Sequence, residues 1–407
     1  MTETACRSCG SLRLSPILSL GALPLANALP PATGAETPDA RFPLDLAFCE
    51  DCSLVQITET VAPEILFRDY LYFSSFSDTF VSRARTLAER LVAERGLTAK
   101  SLVVEIASND GYLLQHYVAS KIPVLGIEPA ENVAAVAREK GIPTRADFFS
   151  KELADRLKAE GNRADVVHAN NVLAHVADLN GFVSGIAAIL KESGVAVVEM
   201  PYVLDMVDRC EFDTIYHEHL CYFSLKALTA LFERHGLTIQ KVERLPVHGG
   251  SLRLFVGHET GVSDDSVERL RSEEIERAAD RFPFYEAFGD RVARLKTELV
   301  ALLRRLRRDG KSIAAYGAAA KGTVLLNYFE IGTDLVSFVV DRNPHKQGRL
   351  VPGVRIPIRG AEAVLASQPD YVLLLVWNLA EEVLGQQAEY RTRGGKFIVP
   401  IPDVRVL

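Results

Sequence analysis

An α/β fold in three parts is predicted by three observations: two Cys-x-x-Cys pairs framing a proline-rich N-terminal segment, a run of apolar strands alternating with helices, and a second such run after a charged helical stretch. Residues 1–66 form the first unit, 67–245 a doubly wound, Rossmann-like core, and 246–407 a helical segment leading into a second Rossmann-like sheet.

In the first unit, residues 23–43 hold five prolines and little periodicity, so they read as extended loop. Short strand-like pieces flank it, including 44–48. Residues 76–94 predict a helix, with Phe80, Ala84, Leu87 and Leu91 recurring on one face. Buried strands are expected at 101–107, 124–128, 165–169 and 195–200, separated by helices such as 132–140 and 179–190. That βαβα order implies a mostly parallel sheet. Residues 262–308 read as one or two long amphipathic helices, and the alternation restarts at 312–316, 336–341, 371–377 and 396–399.

Hydrophobic content of 48% and charged content of 24% are those of an ordinary globular chain, and a net charge of −7 offers no general attraction to nucleic acid or anionic membrane. No segment approaches the roughly 18–20 apolar residues of a membrane span. The start has no basic region followed by an apolar stretch, so it is not a secretory signal, and a cytoplasmic location is the expectation. Monomer and homodimer are both compatible with this charge.

Cys6, Cys9, Cys49 and Cys52 make two knuckles that can supply four thiolates to a tetrahedral zinc. Four protein ligands leave no open position, so the metal reads as structural. Cys210 and Cys221 are expected to be ordinary buried or half-buried thiols.

Glu105 to Gly111 ends a strand and opens a helix, and Ala107, Asn109, Asp110 and Gly111 keep the turn small enough for a ligand to approach closely. Glu128, with Pro129 beside it, ends the next strand, where a carboxylate can accept hydrogen bonds from ribose hydroxyls. GxGxxG is absent and nothing here forms a compact pyrophosphate site. The expected cofactor is therefore a nucleoside lacking phosphate, S-adenosylmethionine, with Asp147, Phe148 and Phe149 as an adenine clasp. Asn170, Asn171 and His175 follow the next strand, where cofactor and substrate would meet; His168 reads as a core histidine. The densest chemistry is Tyr216-His217-Glu218-His219, groups that move protons or stabilise an oxyanion near neutral pH. It is not the HExxH of a zinc protease, and histidines two apart would not share a helix face.

With these knuckles, PLANAL (24–29), EIASNDGYLL (105–114), YHEHLCYFS (216–224), HGGSLR (248–253), YGAAAKG (316–322) and the KQG of 346–348, nearly the whole chain resembles the zinc-containing sugar C-methyltransferases. One departure is Ala107, where that family usually has glycine. The resemblance implies a methyltransferase core using S-adenosylmethionine and a nucleotide-linked keto-deoxysugar, with dTDP the favoured nucleotide and carbon 3 the methylated atom. It implies His219 as base and Tyr216 as enolate-side donor. Glu218 would orient an imidazole or contact a sugar hydroxyl, and Tyr70, with Tyr72 near it, would come from the linker. His217 and Tyr222 complete the motif on the substrate side.

In the C-terminal unit, the small residues around Tyr316, Ala319, Lys321, Gly322 and Thr323 suit a diphosphate at a helix start. Asp341 would bind ribose or order the loop, Lys346 and Gln347 would reach the nucleotide, and Trp377 with Asn378 would wall the pocket. His248 and Arg253 lie between the halves and could touch sugar or phosphate. An oxygen- or nitrogen-directed methyltransferase is the alternative enzyme reading. A zinc-ribbon interaction protein, the non-enzymic one, predicts no binding of S-adenosylmethionine.

Overall fold

A computed structural model describes residues 5–32, 38–67, 73–76, 78–247, 249–258 and 262–407. Three sheets organise the chain. The N-terminal one pairs Leu14–Pro24, Arg41–Cys49 and Val55–Ile57 in antiparallel order, and its fourth strand, Cys221–Tyr222, comes from far along the chain. The predicted loop 23–43 is shorter than expected, because the first strand runs on through Pro24 and the second begins at Arg41 and takes in Pro43; residues 25–32 and 38–40 lie outside this sheet.

The central sheet runs in the order Leu237–Leu245, Ser251–His258, Leu190–Pro201, Ala164–Asn170, Val103–Ile106, Val124–Ile127 and Thr144–Arg145. The last five are parallel, and the first two form an antiparallel hairpin added at one edge. Ser251–His258 thus belongs to the central sheet although it lies past residue 245. Val103, Val104, Val166, Val167, Val197 and Val198 are all buried, the apolar run demanded of strands covered on both faces. Helix Asp78–Arg95 packs through Ala84, Leu87, Ala88 and Leu91.

The charged stretch forms three helices, Asp265–Glu276, Pro283–Glu286 and Phe288–Arg308. The break falls where Ala278 takes a left-handed conformation (φ 53°) and Pro283 opens the next turn. Phe288–Arg308 buries Val292, Leu295, Leu299, Leu303 and Leu306, an i, i+3, i+4 stripe, and turns its arginines outward. The third sheet, in the order Ile358–Gly360, Val339–Asp341, Ile313–Tyr316, Tyr371–Leu374, Lys396–Val399 and Arg405–Val406, is parallel except for its last strand. Among the described residues no helix is long and apolar enough to cross a membrane.

The units interlock. Asn180 Nδ2 and Arg234 Nη1 both donate to the Ser8 carbonyl, seating the first knuckle on the core. Phe212 stacks on Phe329 at 4.9 Å between ring centres, and Trp377 Nε1 donates to Asp213 at 2.8 Å. The 24–30 segment is held by the C-terminal unit: Thr323 Oγ1 donates to Ala26 O, Arg349 Nη1 to Leu29 O and Leu350 N to Pro30 O.

Candidate active site

The two knuckles are built alike. In each, an N–H at the turn's end donates to the first cysteine's carbonyl, Gly10 to Cys6 and Ser53 to Cys49, both at 2.9 Å, with Gly10 and Ser53 at positive φ. The four sulfurs lie within 4.8 Å of one another, Cys6–Cys52 at 3.5 Å and Cys9–Cys49 at 3.6 Å. Those separations are far beyond a disulfide's roughly 2.05 Å and close to the edge of about 3.8 Å required by a tetrahedron of Zn–S bonds near 2.3 Å. The hydrogen bond between Cys6 and Cys52 lowers the Cys6 thiol toward the thiolate a metal binds and raises that of Cys52, while burial raises Cys49. The donor set fits zinc. Cys210 and Cys221 are buried free thiols elsewhere.

At the C-terminal ends of the central strands, the turn after Ile106 bends through three left-handed residues: Ala107 (φ 55°), Asn109 (φ 51°) and Gly111 (φ 78°). Glycine suits position 111, because an L side chain is strained at this φ and its Cβ would sit 2.1 Å from Ile142 Cδ1, which would have to shift. Ala107 accepts strain that glycine would not feel. Ala107→Gly is therefore expected to raise stability by up to about 1 kcal/mol, the loss of left-handed strain partly offset by the freer unfolded chain. A denaturant midpoint checks this; a clear drop in stability would mean the methyl packs productively.

Glu128 receives the N–H groups of Asn109 and Ala130, each at 2.9 Å. Ser74 N donates to Asn109 Oδ1 at 2.8 Å, and Lys140 Nζ to Asp110 Oδ2 at 2.9 Å. Glu105 is fully buried, and burial with Glu128, Asp110 and Glu199 nearby holds its carboxyl well above the usual range. Glu105 Oε2, Asp110 Oδ1 and Asn170 Oδ1 are buried acceptors without hydrogen-bond partners. Such a mouth, rich in carboxylates and in acceptors awaiting donors, fits a ligand bearing hydroxyls and positive charge, as S-adenosylmethionine does, and would repel a pyrophosphate.

Asn170 and Asn171 line a cavity of about 290 Å³ together with Tyr112, Glu199 and Arg253. Arg253 is bound there to Glu199 at 2.6 Å and Glu243 at 3.2 Å. Asp147 pairs with Arg145 at 3.4 Å, and Phe148 is exposed. Phe149 turns the other way, edge-on to Phe182 at 5.3 Å and against Gly185, so it packs helix Leu179–Ile189. Pro129 is half-buried beside Glu128. His168 lies in the core, bonded to the Tyr117 hydroxyl at 2.8 Å, and burial drives it down to about 3.

The Tyr216–His219 stretch is a tight turn, with His219 N donating to Tyr216 O at 2.8 Å. The turn sets residues 216 and 219 side by side and sends 217 away. His219 Nδ1 lies 2.8 Å from Thr214 O, which can only accept, so Nδ1 carries the proton. Nε2 is then the acceptor, and the Tyr216 hydroxyl donates to it at 2.6 Å. His175 stands edge-on to His219 at 4.8 Å, and burial holds it down at about 4, a neutral imidazole. Tyr222 is buried behind, its hydroxyl 3.3 Å from Thr214 O. His217 reaches the Phe42 and Pro43 carbonyls at 3.2 and 3.1 Å, tying the core to the N-terminal sheet. Glu218 Oε1 accepts from Asn27 Nδ2 at 2.7 Å; burial raises its carboxyl to about 7 against the opposing effects of Asn27 and Lys346.

The C-terminal residues fall into two groups. Asp341 orders its loop, receiving Ala318 N and Asn343 N at 2.8 Å each, while Gln347 Nε2 donates to Asp341 O and Lys346 Nζ to Ala318 O. Lys321 lies over the Trp377 ring at 4.6 Å, beside buried Asp213 and Glu211, whose carboxyls burial raises to about 6 and 8. Gly322 lets helix Ala320–Tyr328 approach the end of strand Tyr371–Leu374, since a Cβ would meet Leu375 at 2.9 Å. Ala319 caps that helix, Tyr316 reaches Gln386 at 3.5 Å, and Asn378 is half-buried in the turn after Trp377. Tyr70, Tyr72 and His248 lie outside the described residues. Asn27, Glu211 and Asp213 were not singled out by the sequence: the partners of Asn27 and Asp213 are 191 and 164 residues away.

Three family models match the chain: "Putative zinc binding domain" over residues 6–67, "Methyltransferase domain" over 80–242 and "C-methyltransferase C-terminal domain" over 246–402. The C-methyltransferase NovU of Streptomyces niveus is 35% identical over 404 residues, which cover 99% of this chain and 96% of that one. Among solved structures, the magnesium protoporphyrin IX methyltransferase of Synechocystis PCC 6803 with bound SAM is 13% identical over 43% of this chain and 78% of its own, with a TM-score of 0.33. The PH0226 protein of Pyrococcus horikoshii OT3 is 16% identical over 48% of this chain and 97% of its own, with a TM-score of 0.37.

Proposed function

The chain belongs to the family of C-methyltransferases that carry an N-terminal zinc-binding domain, and from that premise we propose that it methylates carbon 3 of a dTDP-linked 4-keto-deoxysugar through an enolate. Membership makes it an S-adenosylmethionine-dependent C-methyltransferase. The sugar, its nucleotide and the carbon are our reading, as are the three units 1–66, 67–245 and 246–407 and the role of each site residue.

The observation that carries the reading is the His219–Tyr216 pair. Carbon becomes a nucleophile only if a base removes the proton beside the ketone while a donor stabilises the growing oxyanion. His219, its tautomer fixed by Thr214 O, presents a basic Nε2, and the Tyr216 hydroxyl lies 2.6 Å from it. With the ketone in place, that hydroxyl turns to the ketone oxygen and leaves the Nε2 lone pair to take the proton. His175, kept neutral by burial, flanks the base without adding a competing charge. Bound at the Glu105–Glu128 mouth, S-adenosylmethionine supplies the electrophilic methyl group. Asn109, Asp110 and Gly111 would hold it from the loop, and Asn170 and Asn171 from the next strand. Lys346, close enough to Glu218 to influence its titration, supports placing the sugar nucleotide between the core and the C-terminal unit. Lys321 would meet the diphosphate from a helix start.

The test is mass spectrometry after incubation with S-adenosylmethionine and dTDP-4-keto-deoxysugars in deuterated buffer. One added methyl on carbon, with deuterium entering beside the ketone even when the cofactor is omitted, is the expected result. Methylation on oxygen or nitrogen without such exchange would overturn the enolate reading.

A further inference from the structure

Among the described residues, the side-chain carboxylate of Glu218 has a single hydrogen-bond donor, and it belongs to a different unit of the chain: Asn27 Nδ2, 2.7 Å from Oε1. A carboxylate only accepts, so the amide nitrogen must be the atom facing it. The segment that carries Asn27 is fixed on both sides. Ala26 and Leu29 are buried, Leu29 N closes a turn onto Asn27 O at 2.9 Å, and Thr323, Arg349 and Leu350 hold the Ala26, Leu29 and Pro30 carbonyls. Asn27 itself remains exposed and projects from this clamped segment toward a carboxylate that is 5% exposed. That contact puts an amide of the N-terminal unit on a buried carboxylate next to His219, inside the candidate site.

We propose that Asn27 is a positioning residue of the reaction, supplied by the N-terminal module, which holds Glu218 by one oxygen and leaves the other directed at the acceptor sugar. This rests on the function proposed above. The zinc module then completes the active site instead of merely decorating it, and the domain that grips the nucleotide sugar also grips the segment that aims Glu218. An amide is well suited here, because it donates to the ionised carboxylate without bringing a charge that would compete with the sulfonium. The charged and titratable groups around Glu218 are Lys346 on the C-terminal loop, His219 next to it in the turn, and His175, which is bonded to the Glu218 backbone. Removal of Asn27 leaves Lys346 alone to oppose burial, so the Glu218 carboxyl should titrate at higher pH.

The experiment uses the full-length, zinc-loaded enzyme and its Asn27→Ala, Asn27→Asp and Asn27→Gln variants. Glu218 is followed by carbon-13 NMR of its carboxyl group, assigned by the signal lost in Glu218→Gln. In Asn27→Ala the midpoint is expected to rise by about one pH unit, with the acid limb of kcat/KM moving the same way. Asn27→Asp, of nearly identical shape, should move it further by placing a like charge beside it, and Asn27→Gln should restore most of the wild-type value. A Glu218 midpoint unchanged in both Ala and Asp variants would overturn the proposal, as would an unshifted pH profile. If the wild-type enzyme methylates no keto sugar, the proposed substrate falls, while the Glu218 titration still decides the role of Asn27.

Discussion

His219→Asn is expected to lower turnover by about 10²-fold or more while leaving the affinity for S-adenosylmethionine unchanged. The size follows from what is removed. The protonation pattern of His219 is dictated by its surroundings: Thr214 O takes the Nδ1 proton and so exposes the Nε2 lone pair beside Tyr216, whereas His217 spends its Nε2 proton on the Phe42 and Pro43 carbonyls. Asparagine can still fill the space and bond a carbonyl, but its amide has no basic nitrogen. The residues proposed to hold the cofactor, Glu105, Ala107, Asn109, Asp110, Gly111 and Glu128, lie on other segments, so calorimetric titration with S-adenosylmethionine should be indifferent to the change. Deuterium exchange beside the ketone should fall in step with methylation, because both need the same proton removed. Near-normal methylation by the variant would take the base role away from His219. A variant that still exchanged deuterium but did not methylate would move the defect to alignment.

Cys49→Ser should lose the metal and, with it, the fold of the first unit. Cys49 is completely buried and ends strand Arg41–Cys49, so a hydroxyl there is a poor zinc ligand in an apolar setting. The remaining three thiolates would face one another across distances set for a cation. Loss of a structural metal is among the few single changes that cost more than about 4 kcal/mol. The damage should not stop at the knuckles. Strand Val55–Ile57, directly beyond Cys52, pairs with Cys221–Tyr222, two residues from His219. Metal content by plasma mass spectrometry and a thermal melt would test this together. A metal-free variant that melts like the wild type would refute a structural role for zinc.

Much of the fold was legible because the central strands carry short runs of β-branched and aliphatic residues, such as those of Val103–Ile106, Val124–Ile127 and 195–198. Strand Lys396–Val399 stands where the alternation put it, and Val124–Ile127 differs by one residue. The charged stretch resisted, since its periodicity continues across a break made by the left-handed Ala278 and by Pro283. The pairing of residues 216 and 219 is local, a turn that the spacing allows, and the turn of buried His217 away from them, toward the N-terminal sheet, follows from the same geometry. What joins different units was beyond reach. Nothing near Asn27 says that its partner is Glu218, and nothing near Trp377 says that it caps Asp213. The packing of the Phe149 ring against Gly185 and Phe182 joins residues far apart in sequence, and nothing near Phe149 announces it.

The borrowed fourth strand of the N-terminal sheet has a consequence for how the chain is made. All four cysteines have left the ribosome once residue 52 is out, so zinc can be captured early in synthesis. Val55 and Gln56, however, must wait for Tyr222 and Cys221 before their edge is covered. For more than a third of translation the nascent protein carries an open, apolar β-edge, the kind of surface to which chaperones and neighbouring chains adhere. A fragment ending near residue 66 would keep that edge for good. It should therefore be sticky however tightly it holds its metal.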